Sequence, residues 1–296
     1  MKLNQGYSYR MVLDVDANGH SVLSYLTTHF DHSTGPQWQA RLDCGEISLE
    51  GCVAAGDELL CPGKVLVWNR PGWVEGTTPQ TYGVLYHDED LLAVDKPSGL
   101  PTIPGAGYFQ NTLLSLVQID FPDARPLHRL GRATSGVVLF ALNRKSAAAV
   151  SRNWPLVQKQ YEALGCGVAS QETYDINSPI GKYEHPVLGK VYAANPNGKA
   201  SRSVARVVER RENSTVFEVD LHTGRPHQIR IHLAYIGHPL EGDPLYAAGG
   251  IPRVNQPGLP GDAGYWLHAK RLRFEHPSTG KLIELHSTLP DILRTN

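Results

Sequence analysis

The stretch PLHRLGRATSGVVLFALN (126–143) sets a histidine and two arginines beside a Thr-Ser-Gly turn and an apolar run, with no acidic residue among them. Guanidinium groups grip phosphates and stack on flat rings, and an imidazole can carry protons, so this loop has the residue types of a polyanion or nucleotide site. The pattern extends beyond the loop. From 124 to 159 the chain carries Arg125, Arg129, Arg132, Arg144, Lys145, Arg152 and Lys159 with no Asp or Glu between them. The whole chain holds 28 Lys and Arg against 29 Asp and Glu, a formal net charge of −1, so the placement of charge is informative and its sum is not. A local cationic block on a near-neutral chain is what phosphates select. NGKASRSVARVVERR adds Lys199, Arg202 and Arg206, and GRPHQIR sets Arg225, His227 and Arg230 at the start of a predicted helix, where free amides favour an anion.

Other chemistries fit less well. His222, His227, His232 and His238 lie close in sequence, but at no spacing that gathers metal ligands and without Cys or acidic partners, so no metal is expected. Ser135 stands in ATSGV, which lacks the elbow that presents a nucleophilic serine. No glycine-rich phosphate loop appears, so neither a nucleotide cofactor nor an NTPase is indicated. Cys44, Cys52, Cys61 and Cys166 have neither zinc spacing nor disulfide density and read as reduced thiols. No segment is long and apolar enough for a signal peptide or a bilayer span, which predicts a soluble, cytoplasmic protein, expected as a monomer.

The elements that must position these residues fall into two parts. RPGWVEGTTPQTYG (70–83) has linker composition and suggests domains at 1–80 and 81–296. Before it, SVLSYLTTHF has helical spacing and GEISLEG alternates like a short strand. After it, 91–94 reads as a strand running into a Gly/Pro loop at Lys96-Pro97. TLLSLVQIDFPDARP reads as a helix capped by Thr112. The continuous apolar run GVVLFAL (136–142) predicts a central strand buried on both faces. KSAAAVSRNW predicts a helix, KQYEALG and TVFEVDLH half-buried strands, and Ile229, Leu233 and Ile236 a last helix beginning after Arg225 and ending at Gly237.

Taken in order, AVDKPSGLPTIPG, HRLGRATSGVVLFA, QKQYEALGCG, TGRPHQIRIHLAYIGHPLEGDPLY and LHAKRLRFEHPSTGKL resemble the RluA-type pseudouridine synthases over nearly the whole post-linker chain. The N-terminal part is similar in outline to the S4-like RNA-binding modules attached to that family. The resemblance implies an α+β fold: a long mixed, mainly antiparallel sheet with flanking helices. It implies isomerisation of uridine to pseudouridine in structured RNA, rRNA or tRNA, without metal or organic cofactor. A uridine inside folded RNA must leave the stack before an enzyme can reach it. The resemblance gives Arg129 a part in that flipping, Tyr161 the stacking contact with the extruded base, and Arg230 the role of pairing with the catalytic carboxylate. Lys96, His128, Arg129, Arg132, Arg225 and His227 form the expected RNA-facing set.

One residue departs from the family pattern. Where the family reads His-Arg-Leu-Asp, this chain reads His128-Arg129-Leu130-Gly131. The resemblance makes that aspartate the nucleophile, and glycine offers no side chain in its place. Arg230 then needs another partner, since an unpaired buried charge is costly. Asp95, Asp123 and Asp243 are the candidate relocated carboxylates. Glu162 is a poorer one, because strand alternation points it away from Tyr161. A protein that keeps the RNA cleft but has lost the chemistry is the alternative reading.

Overall fold

The computed structural model describes residues 3–30 and 32–295. The chain divides into two compact units, Met1–Glu75 and Gly76–Asn296, with the division inside the Pro/Gly/Thr-rich stretch. In the first unit β1 (Tyr7–Val12) is followed by α1 (Val22–His29), α2 (Gly35–Asp43), β2 (Ile47–Leu49), β3 (Cys52–Val53) and β4 (Val65–Arg70). The strands form an antiparallel sheet in the order β1-β4-β2-β3. Ser21 caps α1, its hydroxyl accepting from Ser24 N–H. Val22, Leu26, Trp38, Leu42, Ile47 and Leu66 close a small core between the helix pair and the sheet.

The second unit runs β5 (Gly83–His87), β6 (Leu91–Lys96), α3 (Leu113–Asp120), β7 (Arg125–Pro126), β8 (Ser135–Ala141), α4 (Arg144–Asn153), β9 (Gln158–Cys166) and β10 (Thr173–Ile176). It continues with β11 (Ile180–His185), β12 (Gly189–Ala194), β13 (Ser203–Arg210), β14 (Ser214–Leu221), α5 (Gln228–Tyr235), β15 (Tyr246–Ala247), β16 (Ile251–Pro252), β17 (Leu267–Glu275) and β18 (Leu282–His286). The main sheet has the order β10-β13-β14-β9-β17-β8-β6-β5, with β18 added to β17 and β7 to β8. Its pairings are antiparallel except β17 with β8, so this is the mixed, mainly antiparallel sheet of an α+β fold. As the apolar run predicts, β8 is covered on both sides. Val138 and Phe140 enter one core with Leu92, Ala163, Phe217 and Leu233, while Val137 and Leu139 enter the other with Leu272 and Phe274.

The Thr-Ser-Gly turn is explained where β8 meets β17. Gly136 has φ +106°, and a Cβ there would lie 2.3 Å from the Ala269 carbonyl oxygen, so only glycine lets the two strands close. The last helix forms where its apolar periodicity predicts, but is shorter than the expected run to Gly237 and more completely buried. It ends at Tyr235, and every residue from Gln228 to Ala234 is buried, polar ones included. Gln228 and His232 tolerate this because their side chains are satisfied: Gln228 Nε2 donates to Arg202 O, and His232 Nε2 donates to Ser178 O at 2.9 Å. Among the described residues no helix is long and apolar enough to cross a membrane.

Candidate active site

The loop between β7 and β8 is fixed almost residue by residue. Leu127 N–H donates to Leu139 O, and Leu139 N–H donates to His128 Nε2 at 3.0 Å. Thr102 Oγ1, buried, bridges Leu130 N and Leu130 O. Gly131 O accepts from Thr134 N–H, Arg132 O from Gly99 N–H, and Ala133 O from the Ser98 hydroxyl. Lys96 completes the clamp. Its ammonium, fully buried, donates to Pro97 O at 2.9 Å, Leu100 O at 2.7 Å and Arg132 O at 3.3 Å. Such a loop presents its free side chains in one geometry and spends little entropy on binding.

These contacts correct part of the expected RNA-facing set. Lys96 cannot reach RNA, being at the end of a buried strand with three carbonyl partners. His128 offers no cation: its Nε2 accepts from the backbone, and burial, with Lys159 nearby, pushes its pKa down to about 4. Arg132 does not line the cleft. It donates from Nε to Gly261 O at 3.0 Å and from Nη1 to the Tyr108 hydroxyl at 3.2 Å. Arg202 and Arg206 are neutralised by Asp175 and Asp220, at 3.0 and 2.5 Å.

A cleft of about 490 Å³ remains, large enough for a nucleotide. It is lined by Arg129 and Gly131 from the loop, by Lys159 and Tyr161 from β9, by the 224–230 segment opening α5, and by Tyr265. Arg129 is exposed and forms no hydrogen bond or ion pair with the described residues. Tyr161 is buried, which pushes its phenol up to about 12. Arg225 donates to Ala200 O and is half-buried in the cleft lining. His227 holds φ +55°, in the left-handed region that non-glycine residues seldom adopt. Because the Tyr246 hydroxyl donates to Tyr192 O, His227 Nδ1 must be the donor to that hydroxyl at 2.8 Å. Its Nε2 is therefore an acceptor, and burial together with Arg230 pushes the pKa down to about 3. His227 faces the cleft as a neutral acceptor, not as the expected cation.

Arg230 has the partner its charge demands. Nε and Nη2 donate to the two carboxylate oxygens of Asp243 at 2.7 and 2.8 Å, and Nη1 donates to Pro260 O at 3.0 Å. The pair is 2% and 0% exposed, and the guanidinium lies between the rings of Tyr265 and Tyr246, at 4.3 and 4.9 Å. Asp243 also accepts from Leu245 and Tyr246 N–H, so it supports the cleft from behind and does not face it. The other candidates lie elsewhere. Asp95 accepts from the Ser287 hydroxyl beside a separate cavity, Asp123 is exposed on a turn, and Glu162 is held by Lys270. Among the described residues no carboxylate lines the cleft. What the sequence did not single out is Tyr265: a Cβ added at Gly131 would lie 2.8 Å from its Oη and 3.5 Å from Thr134 Oγ1. Nothing local in AGYWLHAKR marks that tyrosine; the contact spans a long stretch of chain.

The Lys96 clamp gives a pH-dependent expectation. Burial pushes the ammonium down to about 7 from an ordinary 10.5, so between those values the unfolded chain holds a proton that the folded chain has released. The contribution of Lys96 to stability therefore rises as pH climbs through that window. Lys96→Met strands two or three carbonyls and should cost about 2 kcal/mol at pH 7. Urea midpoints should show the gap to the unmodified chain widening at pH 9; a constant gap contradicts the assignment.

Comparison with known proteins places this geometry. A family model described as RNA pseudouridylate synthase matches residues 90–235. The chain is 38% identical over 278 residues to an uncharacterized RNA pseudouridine synthase of Synechocystis, covering 93% of this chain and 96% of that one. It is 34% identical to RNA pseudouridine synthase 5 of Oryza sativa subsp. japonica, over 99% of this chain and 89% of the relative. It is also 34% identical to the ribosomal large subunit pseudouridine synthase D of Pseudomonas aeruginosa, over 83% and 81%. Among solved structures, human RNA pseudouridylate synthase domain containing 1 aligns with a TM-score of 0.58 at 24% identity, over 75% of this chain and 89% of that one, a likeness of fold.

Proposed function

The chain belongs to the RNA pseudouridine synthase family, and on that premise we propose that it isomerises uridine to pseudouridine in structured RNA, rRNA or tRNA, after drawing the base out of its stack into the cleft. The observation that carries the reading is the cleft itself: a nucleotide-sized hollow at the rigid 127–134 loop, with a free guanidinium at its rim and aromatic walls. In this reading Arg129 grips phosphate and helps to expel the base, Tyr161 stacks on it, and the neutral His227 Nε2 accepts a hydrogen bond from the base or ribose. Arg225 and Lys159 supply the remaining cationic field. The helix pair and four-stranded sheet of the first unit support an S4-like RNA-binding role for residues 1–75, and the four free cysteines suit a reducing cytoplasm.

Unmodified rRNA and tRNA transcripts incubated with the protein should acquire carbodiimide-dependent primer-extension stops at discrete uridines; their absence on both RNAs would remove the proposal. Arg129→Ala should weaken RNA binding by about tenfold and lower the slope of log affinity against log salt by about one. Unchanged affinity and slope in a filter-binding titration would take Arg129 out of the RNA-facing set.

A further inference from the structure

The cleft holds three side-chain hydroxyls, those of Thr134, Tyr161 and Tyr265, and no carboxylate among the described residues. Tyr265 differs from the other two in position. Its oxygen stands 2.8 Å from where a side chain at residue 131 would begin, the point from which the family's aspartate projects. Its ring carries the Arg230 guanidinium at 4.3 Å, and its hydroxyl lies 3.4 Å from Thr134 Oγ1. A cation stacked on the ring favours added negative charge there. Asp243 and Pro260 O keep that cation in place. Tyr161, by contrast, lies in the hydrophobic core, where burial pushes its phenol up to about 12, and among the described residues no cation is stacked on its ring.

We propose that Tyr265 is the nucleophile of this chain's uridine isomerisation, a role that rests on the synthase reading above. The phenol oxygen attacks C1′ of the extruded uridine as the C1′–N1 bond breaks. The bonding pair goes to the uracil ring, which takes up the phenol proton. The freed base turns within the cleft, and C5 attacks C1′. The C1′–O bond breaks with its pair returning to the tyrosine oxygen, and the proton lost from C5 restores the phenol. Atoms and charge balance without metal, oxidant or a second substrate. Tyrosine is an established nucleophile at anomeric carbon in some glycosidases, and a carbon–oxygen intermediate splits one difficult transfer into two.

Tyr265→Phe keeps the ring beneath Arg230 and removes only the oxygen, so folding should survive, as a melting curve will show. With RNA labelled with tritium at uridine C5, the variant should release label at least about 100-fold more slowly than the unmodified chain, with RNA affinity within about twofold. Acid quenching during turnover should also yield a Tyr265 peptide bearing a ribose-linked nucleotide. Release by Tyr265→Phe within about tenfold of the unmodified rate, or an adduct mapped to another residue, overturns the assignment and leaves the synthase reading standing. Binding without release by either protein overturns both.

Discussion

Replacing Asp243 with asparagine should destabilise the protein by about 3–5 kcal/mol, because it leaves the Arg230 charge buried and uncompensated. The side chains of the pair are 2% and 0% exposed, so water cannot take over the lost interaction. Asparagine can still accept from Leu245 and Tyr246 N–H, which isolates the effect on the guanidinium from any effect on the 243–246 turn. A guanidinium no longer held by two charge-assisted bonds also loses its place between Tyr265 and Tyr246. RNA turnover should therefore fall along with the urea midpoint. A loss below about 1 kcal/mol would mean that Arg230 finds a second partner and that the pair does not hold the cleft wall.

Restoring a carboxylate should rescue the chemistry only when room is made for it. Gly131 lies outside the left-handed region, so its backbone accepts an aspartate. The obstacle is Tyr265 Oη, 2.8 Å from the new Cβ. Gly131→Asp alone should displace that hydroxyl and turn over more slowly than the unmodified chain. Combined with Tyr265→Phe, which removes the obstructing oxygen, the aspartate should raise label release at least about tenfold above Tyr265→Phe alone. That sign reversal, harmful alone and beneficial in the phenylalanine background, is a coupling only neighbouring groups produce. Additive effects would show that position 131 and Tyr265 do not share one reacting centre.

The sequence was most legible where a single element carries its own signal. GVVLFAL becomes β8, covered on both faces, and Thr112 caps α3 through Ser115 N–H. The need of Arg230 for an acid was also legible from charge alone, although which of three aspartates meets it was not. What stayed hidden depends on partners far apart in the chain. Lys96 reads as an RNA-facing cation, yet three backbone carbonyls, which have no sequence signature, hold it inside. His128 and His227 read as RNA contacts, but one pins a strand amide and the other bonds Tyr246, and burial leaves both neutral. The cationic run 124–159 divides on folding: Arg129 and Lys159 line the cleft, Arg132 bonds the backbone, and Arg144, Lys145 and Arg152 face solvent on α4. Apolar periodicity located α5, but not the burial of Gln228, Arg230 and His232, whose partners lie on other elements.

Tritium release from RNA labelled at uridine C5, measured with the unmodified protein, reads out whether a uridine is isomerised in this cleft although residue 131 is glycine. Release that rises in proportion to enzyme and time, and reaches the number of target uridines, is the expected result. Stable RNA binding with no label released would contradict it.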